Sequence, residues 1–279
     1  MLNEIRNEDM VKFAVTGKLG LLSTLAPDGF PHVSLISSLQ AKNDKQMMWG
    51  QFTYGLSKIY IEKQPKTGFL ILDMDKNWWR GRTIYKESKI TGEDYDMYNN
   101  QPLFRYNSYL GIGKVHYMDL VDYSGMQALP MKGIVKGALL GRVIKGLIKK
   151  STDKNVKIQN FTQKLAQDLT SLKFLCYEDR EGFPVLLPVI QAFMKDKFGR
   201  MIIPLTAFKE ELSSIPKGAK VALYLANLDL CGVLLQGEYG GVMKTAGMSY
   251  AVFDTQKVYN TNLPVVGYIY PQENYKIIH

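Results

Sequence analysis

Between Thr53 and Lys58 the chain reads TYGLSK, which sets hydroxyls and a cation around a glycine. That combination suits an anion. A hydroxyl donates to a phosphate oxygen, an ammonium adds charge, and a helix start offers free N–H groups and the positive end of its dipole. Ser57 and Lys58 stand where the short helix GLSKIYIEKQP begins, and that helix stops before Pro65. The competing use of the pair is a helix cap at Ser57 beside a solvated Lys58. Upstream, DGFPHVSLIS (residues 28–37) turns and then alternates. His32, Ser34 and Ile36 fall on one side of a strand, and Val33, Leu35 and Ser37 on the other.

Other chemistries find little support. The 279 residues include two cysteines, Cys176 and Cys231, with no Cys-x-x-Cys, and three scattered histidines, His32, His116 and His279. Neither a disulfide framework nor a metal site is expected, and a reducing, cytoplasmic setting fits. The start, MLNEIRNEDMVKFAV, carries acids and no continuous apolar core, so no signal peptide is expected. No run of about 18 apolar residues exists, so no transmembrane segment is expected either. The net charge of +9 favours anionic partners: phosphate groups, nucleic acid or a membrane surface.

The elements that position these residues can be read in order. NEDMVKFAVTG predicts a helix capped by Asn7; LGLLSTLA, PHVSLISSLQA and QMMWGQF predict three strands in a meander. After the helix that starts near Ser57 come the strands KTGFLILDMD and NWWRGRTIYKE, then YNSYLGIGKVHYMDLVDYS with a further strand or two. The second half repeats the order. TQKLAQDLTSL predicts a helix, KFLCYE a strand, DREGF a turn, PVLLPVIQAFM a return strand, RMIIPL a strand, FKEELSSIPKG a short helix, and AKVALYLA and CGVLLQGEYGG the closing strands. Gly29 matches Gly182 at a separation of 153 residues, and Gly81 matches Gly237 at 156. Five elements in order with similar loops imply an internal duplication. The predicted domains are 1–130, a basic glycine-rich linker or helix over 131–160, and 161–279.

The joining segment MKGIVKGALLGRVIKGLIKK repeats apolar residues at helical spacing: Val135, Leu139, Leu140, Val143, Ile144, Leu147 and Ile148. Its glycines, 133, 137, 141 and 146, each weaken a helix by about 1 kcal/mol relative to Ala. Either they allow close packing of the helix, or the segment is a basic amphipathic surface for anionic lipid or RNA.

The first repeat resembles the FMN-binding split β-barrel family related to pyridoxamine 5′-phosphate oxidase. The residues that carry the resemblance are GLLSTLAPDGFPHVSLISSL, MMWGQFTYGLSKIYIEKQPKTGFLILD and WWRGR, over residues 8–90. The second repeat resembles the family more weakly over 165–240. The resemblance implies a mainly β fold with helices, built of two tandem split β-barrel (Greek-key) domains. It also implies an FMN site whose phosphate is held around Thr53, Ser57 and Lys58. The flavin ring would be bordered by Ser34, Leu35, Ile36 and Ser37 and by Trp49, Gly50 and Gln51. Trp79 and Arg80 are further candidates, with Trp78 and Arg82 beside them. The second repeat departs from the pattern: Glu210 and Glu211 stand where a phosphate would be repelled, and PVLLPVIQ lacks the His and Ser.

The function implied is an FMN-dependent oxidoreductase of unknown substrate, with a small-molecule or redox-protein electron donor. His32 and Tyr54 are candidates for proton transfer, and no catalytic residue is assigned. The pocket would be completed by the degenerate repeat as an internal pseudo-dimer or by another chain in a homodimer. The alternative is a non-catalytic flavin- or haem-binding carrier or sensor, with His116 or His279 as iron ligands. A nucleic-acid or membrane-surface role for residues 132–150 ranks last, and no nucleic-acid partner is expected.

Overall fold

The computed structural model describes residues 1–53, 55–101, 111–151, 156, 158–229, 231–262 and 266–271. Tyr54 and His279 lie outside the described residues. The chain clusters into two compact units. One is built of Met1–Pro27, His32–Leu129 and Asp179–Leu186, the other of Asp28–Pro31, Pro130–Glu178 and Leu187–His279.

The first repeat comprises α1 (Asn7–Ala14), β1 (Leu19–Leu25), β2 (Pro31–Leu35), β3 (Gln40–Asn43), β4 (Gln46–Gln51) and α2 (Leu56–Lys63). It continues with β5 (Lys66–Leu72), β6 (Asn77–Lys89), α3 (Glu93–Asn100), β7 (Lys114–Tyr123) and β8 (Gln127–Ala128). Its sheet runs β2-β1-β5-β6-β7-β4-β3, with β8 on β6. Its strands pair antiparallel, as in β1 against β5 and β4 against β7.

After α4 (Met131–Ile144), the second repeat comprises α5 (Asn160–Gln167), β9 (Leu172–Glu178), β10 (Pro184–Pro188), β11 (Phe193–Met194) and β12 (Arg200–Pro204). Then come α6 (Lys209–Ser214), β13 (Lys220–Ala226), β14 (Gly232–Thr245), β15 (Met248–Asn260) and β16 (Gly267–Tyr270). Its order, β10-β9-β13-β14-β15-β12-β11, reproduces the first strand for strand. The chain is therefore mainly β, two tandem split β-barrel domains, and the duplication read from sequence is present in the topology. Gly29 and Gly182 both have φ of +81°, a left-handed turn conformation that side chains disfavour, which is why glycine recurs there.

The expected three-strand meander is not formed. The return strand stops at Leu35: Ile36 N–H bonds to Gly20 C=O, and Leu39 N–H turns back to Ile36 C=O. A second hairpin, β3–β4, then begins at the far end of the sheet from β2. A buried serine holds the break. Ser38 Oγ donates to Gly50 C=O at 2.8 Å and accepts from Gly50 N–H at 3.0 Å. The second repeat turns at the equivalent place, Ala192 N–H to Val189 C=O, and Gln191 Nε2 donates to Pro204 C=O at 3.1 Å. A different side chain makes the same tie.

Smaller differences have local causes. The helix expected over 162–172 ends at Gln167, because Asp168 takes the Thr170 N–H in an Asx turn and Leu172 begins β9. Helix α1 begins at Asn7 with Arg6 as its cap residue, so Asn7 is not the cap. The closing strands of the second repeat include β15, which the sequence reading did not resolve.

Each repeat has its own apolar core. Leu22, Trp49, Phe69, Ile71, Trp79 and Met118 belong to the first, and Leu175, Leu187, Met201, Leu223, Leu235 and Phe253 to the second. Each side chain of this size contributes about 1.5–3 kcal/mol by leaving water.

Candidate functional site

Helix α2 joins the two ends of the first sheet. From β2, the Ser34 hydroxyl donates to Ser57 Oγ on α2 at 3.2 Å. From β4, the Trp49 ring lies under the Lys58 ammonium, with Nζ 5.3 Å from the ring centroid. Strands that the sheet keeps far apart therefore meet at the first turn of one short helix. Gly55 is the N-cap residue of α2 and no side chain caps it. Ser57 is thus not the cap of the helix. It is fully buried and faces Ser34.

Lys58 is the unusual member. Its side chain is buried, with the residue 8% exposed. Its ammonium has no hydrogen bond or ion pair among the described residues. Burial pushes its pKa down from 10.5 to about 8, so the charged form is costly there. Lysine is seldom buried unless paired. A buried ammonium, unpaired among the described residues, beside two hydroxyls at a helix start is an arrangement that suits an anion.

Behind Lys58, Trp49 stacks on His116 of β7 with ring centroids 4.0 Å apart and planes 10° from parallel. His116 Nε2 pairs with Gln51 Oε1 at 2.8 Å. Burial first, then the Lys58 charge, pushes the His116 pKa down to about 3, and the same two causes act on His32, also to about 3. Both imidazoles are neutral at pH 7. Trp49 Nε1 and His116 Nδ1 are buried without a hydrogen-bond partner among the described residues. His32 meets Tyr60 of α2 edge to face at 5.6 Å. The Nε2 of His116 is thus engaged by Gln51 and one ring face is covered by Trp49.

The remaining sequence candidates spread around this cluster. Ser34, Leu35 and Ser37 are half-buried, Ile36 is buried, and Thr53 is exposed. The N–H and C=O of Gly50 are both taken by Ser38. His32 and Val33 are both buried, so alternation along β2 does not separate a wet face from a dry one. Trp79 belongs to the core: its Nε1 donates to Asp9 at 2.8 Å and its ring meets Phe13 edge to face. Arg80 is half-buried with its guanidinium 5.6 Å from the Trp78 ring. Arg82 is engaged by Asp122 through a bidentate pair, which holds its pKa above the usual value. The sequence reading missed Ser38, and it named His116 only as an iron ligand. Their roles come from pairing across strands, and only their residue types were visible.

The second repeat carries different residues at the equivalent positions. At the start of α6, Glu210 and Glu211 occupy the positions of Ser57 and Lys58. The glycines of α4 pack where Thr53 has its counterpart, Thr206. A Cβ on Gly133 would lie 2.3 Å from Thr206 O, and one on Gly137 would lie 2.3 Å from Thr206 Oγ1.

No family model matches the chain. No curated protein matches it either. Solved structures do. The matches are FMN-binding and pyridoxamine 5′-phosphate oxidase-like split-barrel proteins. HupZ of Group A Streptococcus is 17% identical, covering 43% of this chain and 92% of its own, with a TM-score of 0.36. An FMN-binding protein from Syntrophomonas wolfei is 16% identical over 43% of this chain and 83% of its own, with a TM-score of 0.35. A protein described as a candidate pyridoxamine 5′-phosphate oxidase from Lactobacillus delbrueckii is 15% identical over 44% and 95%, with a TM-score of 0.36.

Proposed function

We propose that the first repeat binds FMN, with its phosphate at Lys58, Ser57 and Ser34, and that the chain is an FMN-dependent oxidoreductase whose substrate is unidentified. The observation that carries this reading is the buried Lys58 ammonium, unpaired among the described residues. A phosphate dianion supplies the missing charge and accepts from the two hydroxyls, which are already within 3.2 Å of each other. Bound flavin would supply hydride or electron transfer. The chain's own groups would hold and border it. Thr53 is an exposed hydroxyl at the rim, Ser34 to Ser37 form one border, and Trp49, Gly50 and Gln51, braced by His116 and Ser38, form another. Because His32 and His116 are neutral at pH 7, neither brings a positive charge to the ring's surroundings.

The test separates phosphate from ring. Purified protein should be yellow and release FMN, or should take up added FMN with quenching of flavin fluorescence. Lys58→Ala should weaken FMN by about 1.5–3 kcal/mol, some ten- to a hundredfold, and leave riboflavin, which has no phosphate, within about threefold. Lys244→Glu, an exposed charge reversal in the second repeat, should change neither. A colourless protein that ignores added FMN, or an equal loss of both flavins, defeats the proposal.

A further inference from the structure

Helix α4 has two opposite faces. One carries Gly133, Gly137, Gly141 and Ile144 against the second sheet, with Gly137 and Gly141 buried and a Cβ on Gly141 reaching 2.4 Å from the Phe193 ring. The other carries Val135, Leu139 and Val143, which are 51%, 56% and 77% exposed. At about 100° per residue, these three follow one another along a stripe turned away from the glycines. Lys132 and Lys136 lie on one edge of the stripe and Arg142 on the other. Residues 131–150 hold six Lys or Arg and no acid. A shallow groove of about 620 Å³, lined by Met131, Lys132, Val135, Lys136, Leu139 and Leu140, runs along this face.

We propose that this face of α4 docks on an anionic lipid bilayer. The apolar residues run down the middle and the cations flank them, so apolar side chains can enter the interface while ammonium groups reach the headgroup phosphates. A polyanion such as RNA uses the cations and leaves the apolar centre in water. A second copy of the chain presents the same cations to itself, which opposes self-association through this face. The stripe between Val135 and Val143 is about 12 Å long, which suits attachment to a surface. No helix among the described residues is long and apolar enough to cross a membrane.

The experiment uses the full chain and sedimentation with vesicles, either phosphatidylcholine alone or phosphatidylcholine with about a third phosphatidylserine. Binding should require the anionic lipid and weaken with added salt. Lys132→Ala and Lys136→Ala should each lower partitioning about fivefold. Leu139→Asp with Val143→Asp should lower it at least about tenfold, with the thermal midpoint unchanged because both side chains are exposed. Leu139→Trp, a conservative gain of signal, should shift its added emission to the blue only with anionic vesicles. Failure to sediment with phosphatidylserine vesicles overturns the proposal. So does sedimentation indifferent to Leu139→Asp and Val143→Asp, RNA binding lost with the lysines while lipid binding is absent, or a solution dimer that the same double variant dissociates.

Discussion

If Lys58 holds the FMN phosphate as proposed, affinity and stability oppose each other at this position. An ammonium buried without an anion destabilises the protein that carries it, and a ligand phosphate relieves that cost. Lys58→Met keeps the aliphatic stem and removes the charge. The variant should therefore unfold at higher urea concentration, by about 2 kcal/mol at pH 7 in the absence of flavin, while losing the FMN preference over riboflavin. The pH dependence follows from the depressed pKa. Above pH 10.5 neither state holds the proton firmly, and below about 8 both do. Between those limits unfolding takes up a proton, so flavin-free protein gains stability as pH rises from about 8 to 10.5. Lys58→Met removes that slope, and urea midpoints across the window measure it. A less stable methionine variant would mean that the ammonium supports the fold through a contact of its own. Ser57 and Lys58 were visible as a pair in the sequence because they adjoin. The Trp49–His116–Gln51 group was not, since the hydrogen bond that closes it spans 65 residues and exists only once β4 pairs with β7.

At the scale of elements, α4 shows why the pattern of a helix is easier to read than its orientation. The apolar spacing predicts a helix, and a helix forms over Met131–Ile144. Yet that list mixes two faces: Ile144 and Ile148 are buried, while Val135, Leu139, Val143 and Leu147 are exposed. The residues that choose the buried face are the glycines, which carry no hydrophobic signal and act by letting the backbone approach Thr206. This gives opposite signs for two Gly→Ala changes. Gly146 has open space around it, so Gly146→Ala should be neutral or stabilise by up to about 1 kcal/mol. Gly133→Ala, inside the helix where Gly146 is in the turn beyond it, also gains propensity, but its new methyl meets the Thr206 carbonyl at 2.3 Å. Overpacking against backbone costs about 1–3 kcal/mol, so the net change should be destabilising. Thermal midpoints of the two variants decide it, and a stabilised Gly133→Ala would show that the contact yields cheaply. The broken return strand teaches the same point. PHVSLISSLQA alternates well enough to read as one strand, and only the Ser38 tie to Gly50, made across the fold, reveals the turn inside it.

At the scale of the whole molecule, the two repeats share a strand order and differ in what they do at the same place. The duplication was legible because turn glycines and strand lengths are local signals, and both sheets bear it out. The asymmetry was half legible. Glu210 and Glu211 were visible as a charge reversal, whereas the packing of α4 against Thr206 required the fold. On the proposed reading these two features would act independently on the second repeat, one by repulsion and one by occupancy. The chain should accordingly bind one FMN and no more, measured as flavin released per chain after denaturation of saturated, desalted protein. Installing Glu210→Ser and Glu211→Lys restores the charge alone and should leave the stoichiometry at one, because the α4 glycines still cover Thr206. A second equivalent of flavin in the native chain would show that the second repeat kept its site. A second equivalent only in the Ser-Lys variant would show that charge, without the helix, had closed it.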